Sequence, residues 1–289
     1  MIFLLCSILA STLIFIAFKL FAKFNVDTFQ AIVVNYLFAT ISGVVAFEGE
    51  IKPSEIAQQP WIYGCLALGL LFIIIFNLMA LTTQRSGISV VSVATKMSVV
   101  IPIAFGIFYY GEELGISKGV GIILALIAVY LASIKKSEGL KIETKNLVFP
   151  VLVFLGSGII DLSIKYLEDS YVAESDIPIF SASIFATAFV VGVCVLIVQM
   201  IQGKFKFQLK NLIGGICLGI PNYFSIYFLV KALRSNGLDS STVFTINNVA
   251  IVMVSTLVGI ALFGESLSKK NWAGIILAVL SIVLVTLAF

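Results

Sequence analysis

Apolar runs of about 20 residues, the length a helix needs to cross a bilayer, recur along the whole chain and limit its fold more than any other feature. Ten can be read, at 2–20, 28–47, 61–81, 88–110, 117–134, 147–167, 177–200, 211–231, 239–263 and 271–289. Lipid offers backbone groups no water partner, so each run must satisfy its own hydrogen bonds, and the runs are too long for barrel strands. They read as helices. Start signals agree with several boundaries: Pro60 opens the third run, Asn146 the sixth, Asp176 with Pro178 the seventh and Asp239 the ninth. The longest connections, 48–59 and 135–145, hold a turn or one interfacial helix and leave no room for a second domain. The expected class is an all-α membrane protein with ten transmembrane helices.

Composition removes the soluble alternatives. Of 289 residues 60% are hydrophobic and 11% charged, where a soluble domain carries about 25% charged residues. The chain opens on an apolar run at Met1 with no basic leader, and residues 22–24 do not form a small-residue cleavage site, so no segment reads as removable. Cys6, Cys65, Cys194 and Cys217 lie in separate runs with no CxxC pair, which implies neither a disulfide framework nor a thiolate metal site. Histidine is absent, and with it the commonest metal ligand and the side chain that titrates most readily near neutrality. No metal or cofactor is expected, and any proton coupling would have to use carboxylates. The net charge of +3 comes with no basic, aromatic-rich soluble segment of the kind nucleic acid requires. An enzyme is not expected either: HExxH, paired intramembrane aspartates and a serine with a suitably spaced base are all missing.

The chain repeats itself. Tyr110 to Ala125 (YGEELGISKGVGIILA) matches Phe263 to Ala278 (FGESLSKKNWAGIILA) at an offset of 153. Ile16-Ala-Phe-Lys19 echoes Leu162-Ser-Ile-Lys165, and Ala80-Leu81 echoes Ala232-Leu233. Two five-helix repeats follow, 1–134 and 147–289, joined by a loop at 135–146. Because five is odd, the second copy must cross the membrane in the opposite sense. Inverted repeats of this kind characterise many transporters, with the substrate site near the midplane at the repeat interface.

Each half ends in an apolar helix, then Gly-Glu (Gly111-Glu112, Gly264-Glu265), then a last helix with an internal glycine (Gly121, Gly274). In this the chain resembles the EamA-like branch of the drug/metabolite transporter superfamily over nearly its whole length. Pro102 stands where that family often has a proline in the fourth helix; the second copy has Val254-Ser255 there. The resemblance implies secondary transport, frequently export, of small metabolites such as amino acids, sugars or nucleotide-related compounds.

Charge sets an expected orientation in the cytoplasmic (inner) membrane. Connections after odd-numbered helices carry twelve basic residues and those after even-numbered helices four, with Glu48, Glu50, Glu168, Asp169, Glu174 and Asp176 crowding the second side. The lysine-rich side belongs in the cytoplasm and both termini outside, whereas the resemblance implies termini inside.

Polar residues within the runs mark the expected site. Lys96 lies in an apolar helix, where an ammonium costs on the order of 2.5–3.5 kcal/mol and so faces a cavity or a partner. Snorkelling would have to cover about eight residues at ~1.5 Å each. Ser89, Ser92, Lys96, Gly106 and Tyr110 share one stripe of the fourth helix, and Ser241, Thr245, Asn248, Ser255 and Gly259 the matching stripe of the ninth, with Asn247 alongside. The repeat register sets Asn247 or Asn248 opposite Lys96. Hydroxyl and small residues also serve ordinary helix packing. Asp161, a carboxylate well inside a run, can answer Lys96 or pair locally with Lys165 four residues on. Straight helices would separate Lys96 and Asp161 by about 10 Å in depth, leaving room for water or substrate between them. Asn77 and Asn222 offer further amides, while Pro221 beside Gly214, Gly215 and Gly219 reads as a hinge or as a packing surface. Glu112 and Glu265, at matching helix ends, read as gates, as caps or as solvated acidic termini.

The leading expectation is a secondary-active exporter of small organic metabolites, anionic or zwitterionic, working by alternating access with helices 4, 6 and 9 around the site. The alternatives are an uptake permease for a sugar or nucleoside-like solute, or a passive channel, for which the chain lacks a charged ring or filter repeat.

Overall fold

A computed structural model describes residues 1–49, 52–86, 94–113, 115–133, 148–234, 238–263 and 268–286. Among them the secondary structure is helical throughout. The long helices are α1 (Ile2–Phe24), α2 (Thr28–Ala46), α3 (Ile62–Ser86), α4 (Val100–Tyr109, preceded by a helical turn at 94–97), α5 (Ile116–Ser133), α6 (Val148–Tyr171), α7 (Ile177–Ile201), α8 (Leu209–Arg234), α9 (Ser240–Phe263) and α10 (Lys269–Thr286). Among the described residues six windows, in α2, α3, α6, α7, α8 and α9, are long and apolar enough to cross a membrane. Shorter apolar helices cover Ile2–Phe18, Ala94–Tyr109 and Ile116–Leu131. The chain is a multi-pass membrane protein.

Local chemistry sets the helix ends. Asp27 caps α2 by accepting the Gln30 N–H at 3.0 Å, which satisfies one of the donors left open at a helix start. Asn25 closes α1 in the left-handed region, with φ 51°. A proline in the first turn of α7 costs nothing there, because that N–H has no intrahelical partner. At the start of α10 the Ser268 N–H donates to Asn271 Oδ1 at 2.9 Å and the Asn271 N–H to Ser268 Oγ at 3.2 Å, a reciprocal cap.

The fourth apolar run, expected as one helix, is interrupted at Ser98 and Val99. Pro102 is the reason: it cannot donate to the Ser98 carbonyl, and its ring crowds that oxygen. The Ile101 N–H takes up Ser98 O instead, at 2.9 Å, in a tighter turn. Lys96 therefore sits on the turn just before the break.

The helices gather into two compact units, Met1–Ile74 with Ser163–Arg234, and Ile75–Leu162 with Ser235–Phe289. Each unit draws helices from both sequence repeats, and α3 and α6 contribute one end to each. In the first unit α2 packs antiparallel to α7, its repeat counterpart: Gly43, late in α2, lies against Pro178 and Ala182, while Val33, early in α2, lies against Gly192. α8 packs closely on α2, since a Cβ on Gly215 would come within 2.7 Å of Ala31 O and one on Gly219 within 2.6 Å of Asn35 O. Glycines four apart let two backbones approach where lipid provides no hydrophobic drive. Of the two readings open for these residues, the structure displays the packing surface. A Gly219→Val change is expected to destabilise the purified protein by about 1–3 kcal/mol, because the obstacle is backbone and cannot rotate away; a thermal melt in detergent checks it.

In the second unit α5 runs antiparallel to its counterpart α10, tied at one end by Asn271 Nδ2 donating to Leu131 O (3.0 Å) and at the other by Ser117 Oγ donating to Leu284 O (3.3 Å). α4 and α9 likewise run antiparallel, and Ala125, Ala128, Val129, Val249, Val252 and Ala278 form the apolar core that α5, α9 and α10 share.

Candidate functional site

The polar residues of interest in the second unit lie on α9, which is buried continuously from Ser240 to Val252. A helix with polar residues on several faces and no exposed side in this stretch is not arranged to meet lipid. Thr245 turns its hydroxyl back to Ser241 O at 2.7 Å, and the Asn248 amide nitrogen donates to Phe244 O at 3.1 Å. That leaves Asn248 Oδ1 pointing away from its own helix. The Lys96 ammonium, on the turn before the Pro102 break, donates to this oxygen at 3.4 Å. Lys96 and Asn248 are 9% and 7% exposed, so the charge does not reach water. The bond is longer than the roughly 2.8 Å of a strong charge-assisted contact.

Asp161, on the part of α6 that belongs to the same unit, lies within electrostatic reach of Lys96. Lys165, the competing local partner, makes ion pairs with Glu168 (3.5 Å) and Asp169 (3.5 Å). Thus Lys96, Asn248 and Asp161 come together in one unit. Beside them Val99, Ile103, Ala125, Val129, Thr245 and Asn248, among others, line a crevice with essentially no room for a water-sized sphere. It is apolar except for the last two, and too tight in this conformation to hold a ligand, whose pockets are typically ~300–1,000 Å³.

Along the same two segments several buried polar atoms have no hydrogen-bond partner among the described residues: Thr95 Oγ1, Ser241 Oγ, Thr242 Oγ1 and Asn247 Oδ1. Each such group costs on the order of 1–3 kcal/mol when left unmet.

The other expected site residues have surroundings of their own. Asn222 belongs to the first unit, where its amide donates to Asn35 Oδ1 at 3.0 Å and joins α8 to α2. Asn77 is exposed on α3. Tyr110 stands edge-on to Phe105 and Tyr109 in an aromatic cluster. Ser89, Ser92 and Glu265 lie outside the described residues.

Glu112 occupies a built environment. After α4 the chain reverses through Gly111, whose φ of 66° suits glycine, and the Glu112 N–H donates to Gly106 O at 3.2 Å. The carboxylate folds back over Gly106, where a Cβ would touch it at 3.0 Å. Its Oε1 accepts the Ser240 N–H at 3.0 Å and the Ser240 hydroxyl, and its Oε2 accepts the Ser241 N–H at 3.1 Å. One helix end thereby caps the start of another, and the negative charge meets the positive end of the α9 dipole. Lys118, only 3% exposed, pairs with Asp239 at 2.6 Å and lies 3.9 Å from Glu112. Lys118 and Asp239 drew no functional attention in the sequence, where one reads as a loop base and the other as a helix start. Among the described residues no group of three or more metal-ligating side chains occurs.

The profile of the EamA-like transporter family matches residues 1–134 and again residues 146–287. The chain belongs to the EamA-like transporter family. An uncharacterized protein of Haemophilus influenzae is 31% identical over 283 residues, spanning 96% of this chain and 94% of that one. A protein of known crystal structure superposes with a TM-score of 0.79 at 13% identity, covering 99% of this chain and 96% of its own; at that identity the likeness concerns the fold alone. The double match gives each EamA-like copy a Gly-Glu pair in its sequence ahead of its last helix. In the first copy that pair is the Gly111-Glu112 cap on α9.

Proposed function

We propose that this chain is a secondary-active transporter of small organic metabolites that carry a carboxylate or another anionic group, zwitterions included. The observation that carries the reading is the Lys96 ammonium, buried beside Asn248 and within electrostatic reach of Asp161, against a stretch of α9 whose polar residues from Ser240 to Asn248 are also buried. A charge in hydrocarbon is retained where it has work to do. An anionic solute would take a charge-assisted bond from Lys96, and its remaining polar atoms would meet groups such as Asn247 Oδ1 and Thr242 Oγ1 that have no partner among the described residues. Asp161 supplies a carboxylate for a substrate ammonium or a coupling proton.

The reading includes ten spans in two inverted five-helix repeats, alternating access to the Lys96 site from either side, and residence in the cytoplasmic membrane with the lysine-rich connections inside. Export is the direction the family habit favours. Glu112 and its repeat counterpart Glu265 serve as caps whose release accompanies the change of access.

The test begins with a thermal-stability screen of the purified protein against a metabolite library, since a ligand that binds the folded state raises its midpoint. Each hit is then loaded into proteoliposomes. Saturable flux that is accelerated by substrate on the opposite side is the expected result; passive, unsaturable flux of every hit would point to a channel and end the proposal.

A further inference from the structure

One end of the first unit carries a basic surface that the transport reading does not use. Two residues past the end of α7, Gly203 turns the chain with a φ of 69°, and the connection to α8 reads Lys204-Phe-Lys-Phe-Gln208. Lys204, Lys206 and Phe207 are exposed, the last to 70%. The α1 terminus stands against the start of α8: Lys210 Nζ donates to Phe24 O at 3.3 Å, and the Asp27 N–H donates to Asn211 Oδ1 at 2.9 Å. Lys23 and Phe24 are exposed there as well. Four lysines thus gather at one helix-bundle end against the single carboxylate of Asp27.

We propose that this surface binds the headgroups of anionic phospholipids, with Phe24 and Phe207 seated at the membrane interface between the lysines. Three features select this occupant. The segment caps helices that cross the bilayer, so it lies at headgroup depth. Its charge is predominantly positive, complementary to an anionic leaflet. Its aromatic side chains are exposed rather than packed, as interfacial anchors are. Each lysine held near an anionic surface contributes on the order of 1 kcal/mol, or about fivefold in partitioning.

The full-length protein is incorporated into vesicles of phosphatidylcholine alone or mixed with phosphatidylglycerol, extracted in mild detergent, and its co-purifying lipid is quantified. Wild type is expected to retain phosphatidylglycerol over phosphatidylcholine, and the K204Q/K206Q/K210Q variant to lose that preference by about fivefold per lysine removed. A K204R/K206R/K210R variant keeps the charge and is expected to keep the preference. Raising salt from 0.1 to 1 M, which shortens the screening length from about 10 to about 3 Å, should erode it in wild type without any substitution. Equal retention of the two lipids by wild type, or an undiminished preference in the glutamine variant, would overturn the proposal. So would displacement of the lipid by millimolar inorganic phosphate, which would mark a site for free anions.

Discussion

Replacing Lys96 with methionine is expected to weaken substrate binding by roughly ten- to a hundredfold, the worth of a hydrogen bond to a charged group, and to remove most transport at substrate levels that saturate wild type. Methionine keeps the length and apolar stem of lysine and deletes only the ammonium. Binding is read from the ligand-induced rise in melting midpoint, and transport from proteoliposome flux. The single substitution also leaves the Asp161 carboxylate without its neighbouring cation, and removing one partner of a buried pair is destabilising. A double variant, Lys96→Met with Asp161→Leu, separates the two effects. Replacing a buried charge pair with apolar residues of similar size is often neutral for stability, so the double variant should regain the wild-type midpoint and stay inactive. Normal affinity and rate in Lys96→Met, or recovered transport in the double variant, would remove Lys96 from the site.

Glu112→Ala is expected to lower stability by about 3 kcal/mol, the lower end of the range for breaking a buried ion pair from one side. The side chain is 10% exposed and serves two backbone N–H groups and one hydroxyl, with Lys118 3.9 Å away. Alanine leaves those donors at a helix start unmet and shifts Lys118 onto Asp239 alone. Glu112→Gln retains one acceptor oxygen and loses the charge, so it should fall between wild type and alanine. Glu113, exposed and one residue along, supplies the control: Glu113→Ala should change the melting midpoint little. Equal effects at the two positions would show that Glu112 is an ordinary solvated helix end.

Much of this was legible in the residues. Run lengths locate the helices, because the bilayer imposes one length on every crossing. The match of Tyr110–Ala125 with Phe263–Ala278 marks the two copies, and the same register brings Asn248 near Lys96, because antiparallel counterparts align their midpoints. Pro102 was visible, yet its effect on Ser98 was not: a helix can absorb a proline, and whether it breaks depends on which neighbours take up the freed carbonyl. Asn222 illustrates the opposite difficulty. The sequence marks an intramembrane amide without naming what it bonds, and its bond to Asn35 appears only in the tertiary structure.

Depth in the membrane, then, follows from position along the chain, since each residue of a helix advances by about 1.5 Å; helix content, family and the costly placement of Lys96 were all available from that one-dimensional information. Neighbours in the plane of the membrane do not follow from it. That α2 lies with α7 and α8 in one unit while α4 lies with α9 and α5 with α10 in the other, and that Glu112 caps a helix beginning 128 residues later, was decided by side-chain fit and by buried polar groups finding partners. Those forces act between residues far apart in sequence, so no local pattern records them.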